Sequence, residues 1–255
     1  HGRVDLAEIV FLDEWPGLCA RLAHHSSAPF NLKSLLHEFQ VRILATVLFG
    51  KEVAATQTLV SRIAQLDQSA NRVISNLYKI MLLDTGSPLE GVVLGSADLA
   101  NMLASLGLQR RLMSEIFSLN RSSTTERSSG SGSSGLSSKK SRVDVCCFRS
   151  ILDLFLSVAR LDKSVFEDEE HVKNVLTELV FAGVDTMVGG VTAFIFYMCL
   201  RPDIQSRVCM ELDNDGGRKQ QRNVVTLRDK RTLHLLQACI LETLRIVTQI
   251  PLGIY

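Results

Sequence analysis

Residues Ser164–Leu200 read SVFEDEEHVKNVLTELVFAGVDTMVGGVTAFIFYMCL, and the fold turns on how this stretch is read. It opens on acid and closes on apolar bulk, as a long helix does. Ser164 followed three residues later by Glu167 is a capping-box signal. Glu167, Asp168, Glu169 and Glu170 stand where a helix macrodipole favours negative charge. Pro202 then stops the pattern. At ~1.5 Å per residue the stretch makes a rod of about 55 Å, long enough to cross a domain.

The middle of the rod is unusual for a plain core helix. Ala182, Asp185 and Thr186 fall at i, i+3 and i+4 and share a face. Leu179, Phe181, Met187 and Phe194 flank them and promise the carboxyl little water, and a buried acid needs a partner or a purpose. Gly183 removes a side chain beside the pair and would let another molecule approach the backbone. Three readings fit: a buried central helix with a satisfied Asp, a membrane span over 179–200, and a ligand notch holding a proton donor. An Asp and three glycines at mid-depth speak against a lone span.

Composition narrows the class. Apolar residues at 46% and charged residues at 22% describe a globular chain with ample length for a core. Twenty-eight basic against 27 acidic residues leave a net +1, so no global field attracts nucleic acid. Helical periodicity dominates and alternating β-branched runs are scarce, so the fold class is mainly α with little β. The six cysteines form no C-x-x-C pair, and Cys19 beside His24-His25 lacks the second ligand pair of a metal site.

The central stretch resembles a known family. Phe181-Ala182-Gly183-Val184-Asp185-Thr186 is similar to the oxygen-activation segment in the distal helix of the cytochromes P-450, the haem-thiolate monooxygenases. Pro202-Asp203-Ile204-Gln205, with Arg207 and Glu211, resembles the opening of the family's next helix. Glu242-Thr243-Leu244-Arg245 resembles its E-T-L-R helix, and Pro251 falls where the family often has proline. On its own, a Glu and an Arg three residues apart would carry no signal. Three motifs in order identify the chain as the middle section of that fold: a partial domain over 1–255 built on a long central distal helix at about 164–200.

The resemblance implies the chemistry. Haem, bound through a thiolate, would activate dioxygen to hydroxylate an apolar substrate, sterol or lipid-like. Thr186 would hold the oxygen by hydrogen bond and Asp185 would relay protons. Ala182 and Gly183 would lie over the haem, and Phe181 and Met187 would line the substrate. Glu242 and Arg245 would form a buried structural pair. Electrons would come from a ferredoxin or a flavoprotein reductase, at the mitochondrial inner membrane or the endoplasmic reticulum. Val184 within A-G-V-D-T is reminiscent of the mitochondrial branch, whereas Gln237 and Leu241 stand where that branch often has lysines.

There are departures too. No cysteine lies in the family's glycine-rich haem loop, so no metal ligand is assigned. Met187 replaces a hydroxyl residue, Thr248 a frequent proline, and Tyr255 a frequent arginine. Gly189-Gly190 costs ~1 kcal/mol per residue in helix propensity. The alternative to the enzyme is a truncated, inactive fragment, or a helical binding or membrane protein.

Elsewhere the chain predicts helices. Two short pieces separated at Pro16-Gly17 come first. A helix capped by Asn31 and ended by Gly50 follows. Then come 54–82, with Leu59, Ile63, Leu66, Val73, Leu77 and Ile80 as its inner stripe, and 99–117. Residues 121–142, rich in Ser, Gly and basic side chains, are expected to be a disordered insert. Its chance G-x-G-x-x-G has no strand leading in. A helix from Phe148, a loop at 213–217 and a capping box at Thr226–Asp229 complete the expectations.

Overall fold

The computed structural model describes residues 6–25, 29–51, 55, 57–84, 96–128, 150–161, 169–216 and 225–249. Among these there is no strand. In chain order the helices are α1 (Leu6–His24), α2 (Leu32–Phe49), α3 (Gln57–Asp84), α4 (Ser96–Ser128), α5 (Ile151–Leu161), α6 (Glu169–Leu200), α7 (Pro202–Gly216) and α8 (His234–Ile246), with a 3-10 turn at Leu227–Arg231. The chain divides into two units, residues 1–43 with 184–255, and residues 44–183.

In the second unit, α3 and α4 pack antiparallel. Leu59, Ile63 and Leu66 of α3 are fully buried, as are Leu112, Met113 and Ile116 of α4. Ser69 Oγ donates to Ser105 O at 2.9 Å, and Arg62 Nε lies 3.0 Å from Glu115 Oε2. Of the predicted stripe, Val73 is half-buried, and the side chains of Leu77 and Ile80 lie outside the description. Helix α4 continues through residues 121–128, the start of the segment whose composition suggests disorder. Local composition measures what a segment can bury alone, and these residues extend a helix already formed on α3. Residues 129–142 lie outside the described chain. At α5, Ser150 Oγ caps the start by accepting from Asp153 N at 3.1 Å.

In the first unit, α1 is one helix, not two, and Pro16 sits inside it. A proline removes one backbone bond but need not end a helix that is packed on both sides of it. Here Val10 and Leu18 are buried, Phe11 stacks on Trp15 at 5.3 Å and meets Phe39 of α2 edge-on at 5.6 Å. Arg21 ties α1 to Glu38 of α2 at 2.8 Å. Helix α2 starts as predicted, with Ser34 N donating to Asn31 Oδ1 at 3.1 Å. It ends at Gly50, whose φ of 91° only glycine adopts readily.

Helix α6 is organised by one ridge. Val172, Leu176, Val180, Val184 and Val188 recur every four residues and are all 0–2% exposed. Glu169 and Glu170 occupy its first turn, while Ser164 and Glu167 fall outside the described residues. Lys173 makes ion pairs with both acids at 3.1 and 3.7 Å and lies 5.4 Å from the Phe117 ring centre. By length and composition α6 is apolar enough to cross a membrane.

Helix α7 begins at Pro202, a position where a missing N–H costs nothing. It runs through Gly216, so residues 213–216 form its last turn and not a loop. The capping box at Thr226 is present: Asp229 Oδ2 accepts from Thr226 N at 2.8 Å and from its hydroxyl at 2.9 Å. Leu227 N donates to Glu8 Oε1 of α1 at 2.9 Å.

Candidate functional site

The predicted site lies on α6 in the turns around Val184, with Ala182 and Thr186 on the side away from that valine. Ala182 is exposed, Asp185 and Thr186 are half-buried, Phe181 is half-buried and Met187 is 54% exposed. One helix therefore brings the six predicted residues together, Gly183 included.

The surroundings differ from those expected. Asp185 is not starved of water: its side chain is 42% exposed, and Lys33 Nζ of α2 stands 3.6 Å from Oδ1. Of the four apolar neighbours that promised dryness, Leu179 and Met187 are turned out, at 36% and 54%, while Phe181 and Phe194 are half-buried. So open a pair contributes at most about 1 kcal/mol. Gly183 is half-buried, and the space of its missing side chain faces α2. A Cβ there would stand 3.2 Å from a Leu44 methyl, so the missing side chain makes room for α2.

Thr177 and Thr192, elsewhere on α6, donate to the carbonyls four residues back at 2.8 and 2.7 Å. Such a bond satisfies a hydroxyl inside a helix.

Gly189 acquires a reason that sequence alone did not supply, whereas Gly190 meets only ordinary contacts. A Cβ on Gly189 would run into Gln249 Oε1, and one on Gly190 would touch Gln249 Nε2 and Leu244 at 3.9 Å. The propensity cost in α6 thus admits the segment that follows α8. Lys33, Leu44 and Gln249 were missed because nothing in their local sequence announces a distant partner.

Glu242 and Arg245 form a fork, with Nε donating to Oε2 at 2.7 Å and Nη2 to Oε1 at 2.6 Å. The resemblance implies a buried pair, but here the side chains are 53% and 71% exposed. The hydrogen bond from Arg245 holds the Glu242 carboxyl below its ordinary value, and the same bond raises Arg245.

Depressions lined by described residues include the following pair. One, of about 560 Å³, lies among Arg207, Met210, Glu211, Asn214, Thr232 and Leu235. The other, of about 150 Å³, lies between α4 and the start of α6, around Met113, Lys173 and Thr177. Asp185 and Thr186 line neither. An exposed Ala182 beside a half-buried hydroxyl fits a flat apolar group laid against an open helix face. No group of three or more metal-ligating side chains occurs among the described residues. Cys19, Cys199 and Cys209 are exposed thiols, and burial raises the half-buried Cys239.

This mainly helical segment, with its acid–hydroxyl pair and its Glu–Arg fork, matches a known family. The model of the cytochrome P450 family covers residues 7–255, and the chain belongs to that family. It is similar to cytochrome P450 4g15 of Drosophila melanogaster, 33% identical over 103 residues, 40% of this chain and 17% of that protein. It is 32% identical over 107 residues to the probable cytochrome P450 516B1 of Dictyostelium discoideum, 42% and 21% of the two chains. With human cytochrome P450 4V2 the identity is 29% over 133 residues, 52% and 24%. The matched stretches thus span about a fifth of those relatives' length.

Proposed function

We propose that the complete protein is a haem-dependent monooxygenase that hydroxylates an apolar, sterol- or lipid-like small molecule with dioxygen. The observation that carries this reading is the family match over 7–255 combined with Asp185 and Thr186 side by side on the open face of α6. Haem, when bound, supplies the activation of dioxygen. Ala182 gives the flat group room against the helix. The Thr186 hydroxyl orients oxygen by donating a hydrogen bond, and the Asp185 carboxyl passes a proton toward it through its Oδ atoms. Lys33 Nζ, 3.6 Å from Oδ1, helps to aim that carboxyl. Phe181 and Met187 offer the substrate apolar contact.

Electrons come from a ferredoxin or a flavoprotein reductase. Gln237 and the exposed Leu241, in place of docking lysines, favour the reductase and the endoplasmic reticulum over the mitochondrial branch. The outward apolar residues of α6 support a membrane-associated setting. The 255-residue stretch by itself is read as inactive, because none of its six cysteines stands in a haem-loop sequence.

The test is Thr186→Ala in the complete, haem-loaded protein. Reductant consumption is expected to continue while product falls and peroxide rises. Unchanged product with unchanged peroxide would remove Thr186 from the mechanism. A reduced carbon-monoxide difference spectrum checks the thiolate-bound haem itself.

A further inference from the structure

Helix α8 begins without a cap of its own. Leu233 occupies the N-cap position and offers no side-chain acceptor, so the first amides of the helix need partners from elsewhere. The first bond within the helix is Gln237 N to Leu233 O at 3.1 Å. Two of the orphan donors before it are met from α7: Leu235 N donates to Glu211 Oε1 at 2.8 Å, and Leu236 N donates to Oε2 at 2.9 Å. One carboxylate thus spans two successive amides, at the end of the helix where negative charge is favoured. A third bond, Gln237 Nε2 to Lys230 O, joins the first turn of α8 to the 3-10 segment.

We propose that Glu211 is a positioning residue: from α7 it fixes the first turn of α8, and through that helix the place of the Glu242–Arg245 pair. Helix α8 is a short rigid rod of about 20 Å, so a tilt at one end moves the other. What the positioning serves rests on the monooxygenase reading, whereas the cap does not.

The electrostatics agree with the geometry. The amides of Leu235 and Leu236 hold the Glu211 carboxyl below its ordinary 4.5, with help from His234 at the start of α8. The other titratable groups facing it are Cys239 on α8 and Arg207 one turn back on α7. Thr232, just after the 3-10 segment, contributes an uncharged side chain to the same depression. Because the folded-state value is depressed, the cap is fully formed above pH 4.5 and is lost as pH falls through that lower value.

The experiment uses the complete protein with Glu211→Ala and Glu211→Gln, read by hydrogen exchange across residues 233–237 and by the rate of haem transfer to an apoprotein scavenger. Glu211→Ala is expected to speed exchange there about tenfold or more, leaving peptides of the α3–α4 pair unchanged. Glu211→Gln, nearly equal in size, is expected to lose part of the protection, because its amide has one acceptor oxygen. It also carries the test if the alanine variant fails to fold. Haem loss should accelerate in the same order. In wild type, protection corrected for intrinsic rates should drop below pH 4.5, and Glu211→Gln should show no such step.

Unchanged exchange in both variants, or an equal pH step in Glu211→Gln, overturns the cap. Faster exchange with an unchanged rate of haem loss overturns the positioning. Wild type without a thiolate-haem spectrum would instead sink the monooxygenase reading, and the exchange arm would still decide the cap.

Discussion

In α3 and α4, Leu59, Ile63, Leu66, Leu112, Met113 and Ile116 are at most 1% exposed, whereas in α8 Ile240, Leu241, Leu244 and Ile246 stand 41–67% exposed. Both regions are regular helix with an apolar side. The antiparallel α3–α4 pair finds its complement within one hairpin. Helix α8 is held at its N-terminal end by a carboxylate and buries Thr243, while much of its apolar side meets solvent. Helical period therefore says which residues share a side, and the presence of a facing element decides whether that side is a core.

The largest effect expected from this contrast is Leu66→Ala, which opens a cavity in a fully buried layer and should cost about 2–5 kcal/mol in chemical denaturation. Leu241→Ala, at 67% exposure, should change the stability of this chain by less than about 0.5 kcal/mol. Equal losses would break the contrast.

Next come the glycines of α6. Gly190→Ala meets only ordinary contacts at 3.9 Å and should stabilise by up to about 1 kcal/mol through helix propensity. Gly189→Ala must push Gln249 aside and should gain less, and Gln249→Ala should restore the gain in the double variant. Additive effects of Gly189→Ala and Gln249→Ala in thermal unfolding would deny the contact.

Ser69→Ala removes the buried bond to Ser105 O and should cost about 1 kcal/mol by the same denaturation measurement. Smallest is Glu38→Gln. The hydrogen bond from Arg21 holds the Glu38 carboxyl below its ordinary 4.5, so the pair's contribution is present above that pH and disappears as pH falls through the folded value. Above pH 4.5 the loss should be under about 1 kcal/mol, because both side chains are over 40% exposed. Stability curves of wild type and variant should converge in acid; a constant gap down to low pH would refute it.

Much of the fold was legible where its cause is local. Asn31 and Thr226 mark starts and Gly50 an end, because capping bonds span a few residues. The stripe of α3 follows its period through Leu66. The reading failed where tertiary packing overrides local chemistry. Pro16 did not break α1, because aromatic and aliphatic contacts hold both sides of it. At the candidate site, sequence placed Ala182, Asp185 and Thr186 on one face, since that is arithmetic on a helix. It misjudged Asp185 as dry, because water access depends on what stands opposite.

The sequence by itself determined the family, the helical class and the grouping of Phe181 to Met187, all of which depend on residue identity and spacing along one chain. Only the tertiary structure decided that Leu44 fills the space at Gly183, that Lys33 meets Asp185, that Gln249 needs Gly189 and that Glu211 starts α8. Each of those joins residues far apart in the chain. Their proximity is fixed by how helices pack, and no local pattern encodes it.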